Sequence, residues 1–129
     1  MPTAKILVVD DEEDVRQRIG NFVARKINCE VELACNGEEA LRKLKESQFD
    51  LVLLDIKMPG LSGIDVMRQA AASSIQTKFL AISGYDSQEV ADEALYFGAI
   101  DFIPKPQTPA TILLKVKDIL EQMGKYEAK

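Results

Sequence analysis

The chain has no histidine and no tryptophan, and only two cysteines, Cys29 and Cys35. Without histidine, and with no metal-ligand spacing between the cysteines, a zinc site is excluded. In a reducing compartment the two thiols read as inert packing residues. No apolar run reaches the roughly 18 residues needed to cross a bilayer, so membrane insertion is not expected. The start, "MPTAKILVVDDEED", turns acidic too early for a secretory signal, which points to a cytoplasmic protein. A basic excess is also missing: the formal net charge is −5. That argues against direct nucleic-acid binding and against coating an anionic membrane. There is no Gly/Ser-rich linker, low-complexity tract or tandem repeat. The 129 residues therefore read as one domain. The tail 124–129, "GKYEAK", reads as a frayed terminus or as a linker to an absent effector.

What is present is a regular alternation. "KILVVD" (5–10), "DLVLLD" (50–55) and "KFLAIS" (78–83) are continuous apolar runs, as expected for strands covered on both faces of a parallel sheet. "DFIPK" (101–105) is a further strand, and "VELAC" (31–35) a weaker one with Val31, Leu33 and Cys35 alternating. Helical periodicity lies between them. Val15, Ile19, Phe22 and Val23 share a face, as do Ala40, Leu41 and Leu44. Ile64, Met67 and Ala71 mark a third helix. Val90, Ala94 and Leu95 mark a fourth, with Asp86 or Ser87 as its N-cap. Ile112, Leu113, Val116, Ile119, Leu120 and Met123 mark the last. Strand and helix five times over imply a doubly wound α/β sheet with right-handed crossovers. Pro104 removes a backbone donor, which places its strand at a sheet edge.

In such a sheet, ligands bind beyond the carboxyl ends of the strands. The strand ends carry Asp10-Asp11, Asp55, Ser83 and Lys105. "LVLLDIKMPG" (51–60) shows the pattern most plainly: an apolar run closes on Asp55 just before a Pro-Gly turn. Two carboxylates about 5 Å apart repel by roughly 3 kcal/mol at an effective dielectric near 20. A third forces protonation or the capture of a cation. Lys105 offsets part of the charge. The remainder suits a hard divalent ion bound by oxygens, and Mg²⁺ fits best because it keeps waters that a phosphate can replace. Ca²⁺ asks for more protein oxygens. A metal, a lysine and a hydroxyl together suit phosphoryl oxygens. Asp55, at the centre, then has the place of a nucleophile that forms an acyl phosphate.

Each residue also has an ordinary explanation. "DDEED" (10–14) suits the first turn of a helix. Asp55 suits a turn, Ser83 an N-cap, and Lys105 an edge charge. The functional reading rests on the four falling at the same rim.

These motifs carry a family resemblance. "ILVVDDEEDVR" (6–16), "DLVLLDIKMPGLSG" (50–63), "AISG" (81–84) and "GAIDFIPKP" (98–106) resemble, in order and spacing, the receiver domain of two-component response regulators. The resemblance covers nearly the whole chain. It implies a flavodoxin-like fold with five parallel strands in the order 2-1-3-4-5, flanked by five helices. By the same resemblance Asp55 is the phosphoacceptor, Asp11 binds Mg²⁺ directly and Asp10 acts through metal-bound water. The backbone carbonyl of Lys57 supplies a further ligand. Lys105 pairs with the phosphoryl group, and its bond to Pro106 is cis. Ser83 is the switch hydroxyl and Phe102 the switch aromatic. The implied partners are a sensor histidine kinase or histidine phosphotransfer protein upstream, and an effector domain or protein downstream. The readout surface is the fourth helix, last strand and last helix. Such a domain assists its own modification but turns over no separate substrate.

Phe102 lacks the hydroxyl that tyrosine carries. Lys57 and Tyr85 flank the water path to the acyl phosphate and are expected to alter its lifetime; Gln107 follows the Lys-Pro pair with no clear consequence. A flavin-binding protein would need a Ser/Thr/Gly-rich phosphate loop where "DDEED" stands. A haloacid-dehalogenase-type phosphatase would need an acid at Lys57, and a P-loop nucleotidase a motif that is missing. The last alternative is a degenerate receiver that serves only as a docking module. It would have lost an acid or the lysine, and all are present.

Overall fold

The computed structural model of the protein describes residues 3–84, 88–105 and 108–129. Ten elements alternate: β1 (Ala4–Val9), α1 (Glu13–Lys26), β2 (Cys29–Ala34), α2 (Gly37–Glu46), β3 (Leu51–Asp55), α3 (Gly63–Ala72), β4 (Lys78–Ser83), α4 (Gln88–Tyr96), β5 (Ala99–Pro104) and α5 (Pro109–Gln122). The strands form one sheet ordered β2-β1-β3-β4-β5, with every pairing parallel. This is the doubly wound fold and the strand order expected. Pro104 lies on the edge strand β5, where a missing amide costs no ladder bond.

Alternate side chains divide the core in two. Leu7, Val9, Val52, Leu54 and Ala81 face α2, α3 and α4, meeting Leu41, Leu44, Val66, Met67 and Ala94. Ile6, Val8, Leu51, Leu53, Leu80 and Ile82 face α1 and α5, meeting Ile19, Val23, Ile112, Val116 and Leu120. All five residues of β3 are buried, so the strand that ends in Asp55 is the most enclosed of the five.

Several expectations need correction. Cys35 is exposed rather than packed, while Cys29 is half-buried. In α3 the buried face is Ile64, Val66, Met67 and Ala70, and Ala71 is exposed. In α4, Ala94 is buried but Leu95 is 45% exposed. The tail is not frayed: Ala128 forms an antiparallel bridge with Ile27, and the Asn28 N–H donates to the Glu127 carbonyl at 2.8 Å. The N-cap expected of Asp86 or Ser87 lies outside the described residues.

Candidate phosphoryl and cation site

Three parallel strands end side by side at one rim, and their pairing sets the site. β3 lies between β1 and β4, so the tip of β3 is flanked by Asp10 on one side and Ser83 on the other. Among the described residues the buried polar or charged side chains are Asp10, Asp55 and Ser83, at 2%, 4% and 0% exposure. That all three fall at this rim singles it out as the candidate site, because polar groups are rarely buried without a task or a partner. Asp10, Asp11 and Asp55 each offer a carboxylate oxygen, and these lie within 4.8 Å of one another. Asp11 is exposed, which leaves the cluster open to solvent on one side.

Lys105 closes the other side. Its Nζ lies 2.8 Å from Asp10 Oδ2 and 3.5 Å from Asp55 Oδ2. The Lys105 N–H donates to the Ser83 carbonyl at 2.5 Å, which fixes the loop beyond β5 against the end of β4.

The acidic loop divides between the helix start and the rim. The Glu12 N–H donates to Asp10 Oδ1 at 2.9 Å, but the N-cap of α1 has no side-chain cap. Glu13 and Asp14 occupy the first turn and serve the helix dipole, while Asp10 and Asp11 face the strand tips. Arg16 Nη1 donates to the Asp10 carbonyl at 2.9 Å and so ties α1 to the tip of β1. Sequence reasoning missed Arg16, since an arginine on a helix reads as a solvated charge.

The far side of Asp55 is shaped by glycine. A Cβ on Gly63 would sit 2.6 Å from the Asp55 carbonyl oxygen and 2.8 Å from Ile56 Cα, so only glycine lets α3 begin this close to β3. The Gly63 N–H donates to the Ile56 carbonyl at 2.9 Å, and a capping box between Ser62 and Asp65 starts the helix. The intervening turn passes through Gly60 at φ +76°, a left-handed conformation suited to glycine.

Burial pushes the Asp55 carboxyl up to about 7; Lys105 opposes the rise, while Asp10 and Asp11 add to it. For Lys105, burial pulls the ammonium down, but its bond to Asp10 and the charge of Asp55 outweigh this and leave it raised. The three carboxylates outnumber the one lysine that is ion-paired with them among the described residues. The donors are all carboxylate oxygens, with no thiol or imidazole, so the residues present fit a hard cation such as Mg²⁺.

Asp10, Asp11, Asp55 and Lys105 are therefore brought together as expected. Ser83 stands at the same rim on the adjacent strand. Lys57 is exposed, two positions beyond Asp55. Phe102 lies on β5 opposite Ala81, half-buried against the core under α4. Tyr85, Pro106 and Gln107 lie outside the described residues.

The family model of the response regulator receiver domain matches residues 6–117. The transcriptional regulatory protein ResD of Bacillus subtilis is 36% identical over 92% of this chain and 48% of its own length. A protein-glutamate methylesterase/protein-glutamine glutaminase of Clostridium acetobutylicum is 37% identical over 93% of this chain and 35% of its own. The chain thus spans half or less of these relatives. Among solved structures, chemotaxis protein CheY4 of Vibrio cholerae superposes with a TM-score of 0.83 at 31% identity, covering 92% of this chain and 100% of that one. The receiver domain of a Francisella response regulator gives 0.86 at 26% identity, covering 94% and 99%.

Proposed function

We propose, for a chain that belongs to the response regulator receiver domain family, that Asp55 accepts a phosphoryl group and that the domain switches conformation in response. The observation that carries this is the buried Asp55 carboxyl within 4.8 Å of two further carboxylates and 3.5 Å from an ammonium. A carboxylate placed so is costly to ionise alone and becomes favourable when cations and a phosphoryl group complete the site.

In the proposed step, one Asp55 oxygen attacks phosphorus in line. The new O–P bond forms as the P–N bond of a phosphohistidine breaks, and the electron pair leaves with the imidazole nitrogen. Donors of this kind are a sensor histidine kinase or a histidine phosphotransfer protein. Mg²⁺, when bound, draws charge from the phosphoryl oxygens. Asp10 and Asp11 would hold that ion with Asp55 and the Lys57 carbonyl. Lys105, seated 2.8 Å from Asp10, is within reach of the incoming group and would pair with one of its oxygens. Ser83 would donate to another, and Phe102 would turn inward behind it. Phosphorylation thereby adds contacts available in one conformation only, which is what shifts an equilibrium.

The readout surface is supported by where apolar groups are left uncovered. Among the described residues the exposed large hydrophobics are Leu95, Tyr96, Phe97, Ile100 and Leu114, all on α4, the turn after it, β5 and α5. An effector domain or protein is the expected occupant. The relatives named above differ in output, one a transcriptional regulatory protein and the other a methylesterase/glutaminase.

Incubation with acetyl phosphate and Mg²⁺, followed by mass spectrometry, tests the assignment. One phosphoryl group at Asp55, lost in Asp55→Asn and with Mg²⁺ removed, is the expected result; robust labelling of that mutant elsewhere contradicts it. A docking-only receiver would take no label at all. Lys57→Ala should change the dephosphorylation rate of the labelled protein, and an unchanged rate removes Lys57 from the account.

A further inference from the structure

At the pole of the sheet opposite the acidic rim, the C-terminal residues are tied down by bonds of several kinds. The Lys125 N–H donates to the Leu120 carbonyl at 2.8 Å, turning the chain back under α5. Lys125 Nζ then pairs with Asp50 Oδ1 at 2.5 Å. Asp50 is a junction in its own right. Its Oδ2 accepts from the Lys5 N–H at 2.8 Å, and its own N–H donates to the Lys5 carbonyl at 2.8 Å. The latch thus lands where β1 and β3 begin. Beyond it, Tyr126 packs, half-buried, against the core cluster under α1 and α5, with Lys117 Nζ 5.4 Å from its ring centre. Ala128 bridges Ile27, and the Lys129 N–H donates to the Lys26 carbonyl at 3.1 Å. Cys29 lies two residues beyond Ile27. It is half-buried in the same apolar cluster that takes Met123 and Tyr126.

We infer that residues 124–129 form a strap, latched by Lys125 on Asp50, which fastens the end of α5 to the start of the sheet and shields Cys29, and which opens locally without unfolding the domain. The physical basis is an imbalance. All of β3 is buried, whereas no residue of the strap is: Lys125 and Tyr126 are half-buried, and residues 124 and 127–129 are exposed. Segments held by few buried contacts and exposed charges open at lower free energy than a core strand. The strap needs nothing at the acidic rim, so it stands or falls apart from phosphoryl transfer.

Cys29 reports the opening. Burial raises its thiol pKa while Lys129 opposes this, so in the closed state it should react slowly. In a Cys35→Ser background, which removes the exposed thiol, labelling by N-ethylmaleimide is timed. Lys125→Met and Asp50→Asn should each speed labelling by up to about fivefold, the effect of losing one partly exposed ion pair. Both leave Lys129 in place. A chain ending at Gly124 should label faster still. Urea melts of the same proteins separate local from global opening. Unchanged labelling in Lys125→Met and Asp50→Asn overturns the latch. Acceleration that matches the loss of global stability overturns local opening.

Discussion

Asp55 carries the chemistry, and its environment makes a testable demand on pH. Its folded carboxyl is raised to about 7 by burial first, with Asp10 and Asp11 adding. An unfolded aspartate titrates near about 4. Between those values the folded state binds more protons than the unfolded one, so this group makes stability fall as pH rises. The slope approaches about 1.4 kcal/mol per pH unit at most. Asp55→Asn removes that term. In metal-free protein it should raise stability at pH 8 and change little at pH 4, read by urea denaturation at both. Replacing Lys105 has the opposite effect on stability. Lys105→Met leaves Asp10 and Asp55 buried without the ammonium that pairs with both, and should cost on the order of 3 kcal/mol at pH 8. Added Mg²⁺ should return much of the loss in the same melts. These residues were legible in the sequence because each ends an apolar run. Arg16 was not, because its bond to the Asp10 carbonyl leaves no mark in residue type or spacing.

The elements hold these residues by close backbone approach. Gly63→Ala places a methyl group 2.6 Å from the Asp55 carbonyl oxygen, with backbone as the obstacle. A loss of about 2 kcal/mol is expected from overpacking of this kind, with weaker Mg²⁺ binding, measured by thermal melts and by titration. Ser62→Ala breaks the capping box at the same helix start and should cost about 1 kcal/mol while leaving the strand tip in place. Apolar runs and hydrophobic period together identified all ten elements, but not every boundary or face. β5 begins at Ala99 rather than at 101, and a register shift opposite Phe79 and Leu80 accompanies the early start. Leu95 was assigned to the core of α4, yet it is among the exposed apolar residues there. Period alone does not tell a helix face that meets the sheet from one left open.

For the whole molecule, the repeated strand–helix alternation was enough to imply a doubly wound sheet, since right-handed crossovers allow few other arrangements. The strand order followed from the family resemblance and not from the pattern. The site was legible for a reason of topology: in a parallel sheet all carboxyl ends face one way, so strand-final residues distant in sequence become neighbours. The opposite pole was not legible in the same way. Lys125, Tyr126 and Ala128 lie in a short polar tail with no period, and only the folded chain shows them bound to Asp50, the α5 side of the core and Ile27. No helix among the described residues is long and apolar enough to cross a membrane.

The central claim is that acidic strand tips meet closely enough to hold Mg²⁺ beside Asp55, and amide NMR spectra recorded through an Mg²⁺ titration test it most directly. Saturable shifts are predicted at Asp10, Asp11, Asp55 to Lys57 and Lys105, with the pole around Asp50 and Lys125 unmoved. Spectra that do not respond to Mg²⁺, or that respond only away from those residues, would contradict the account.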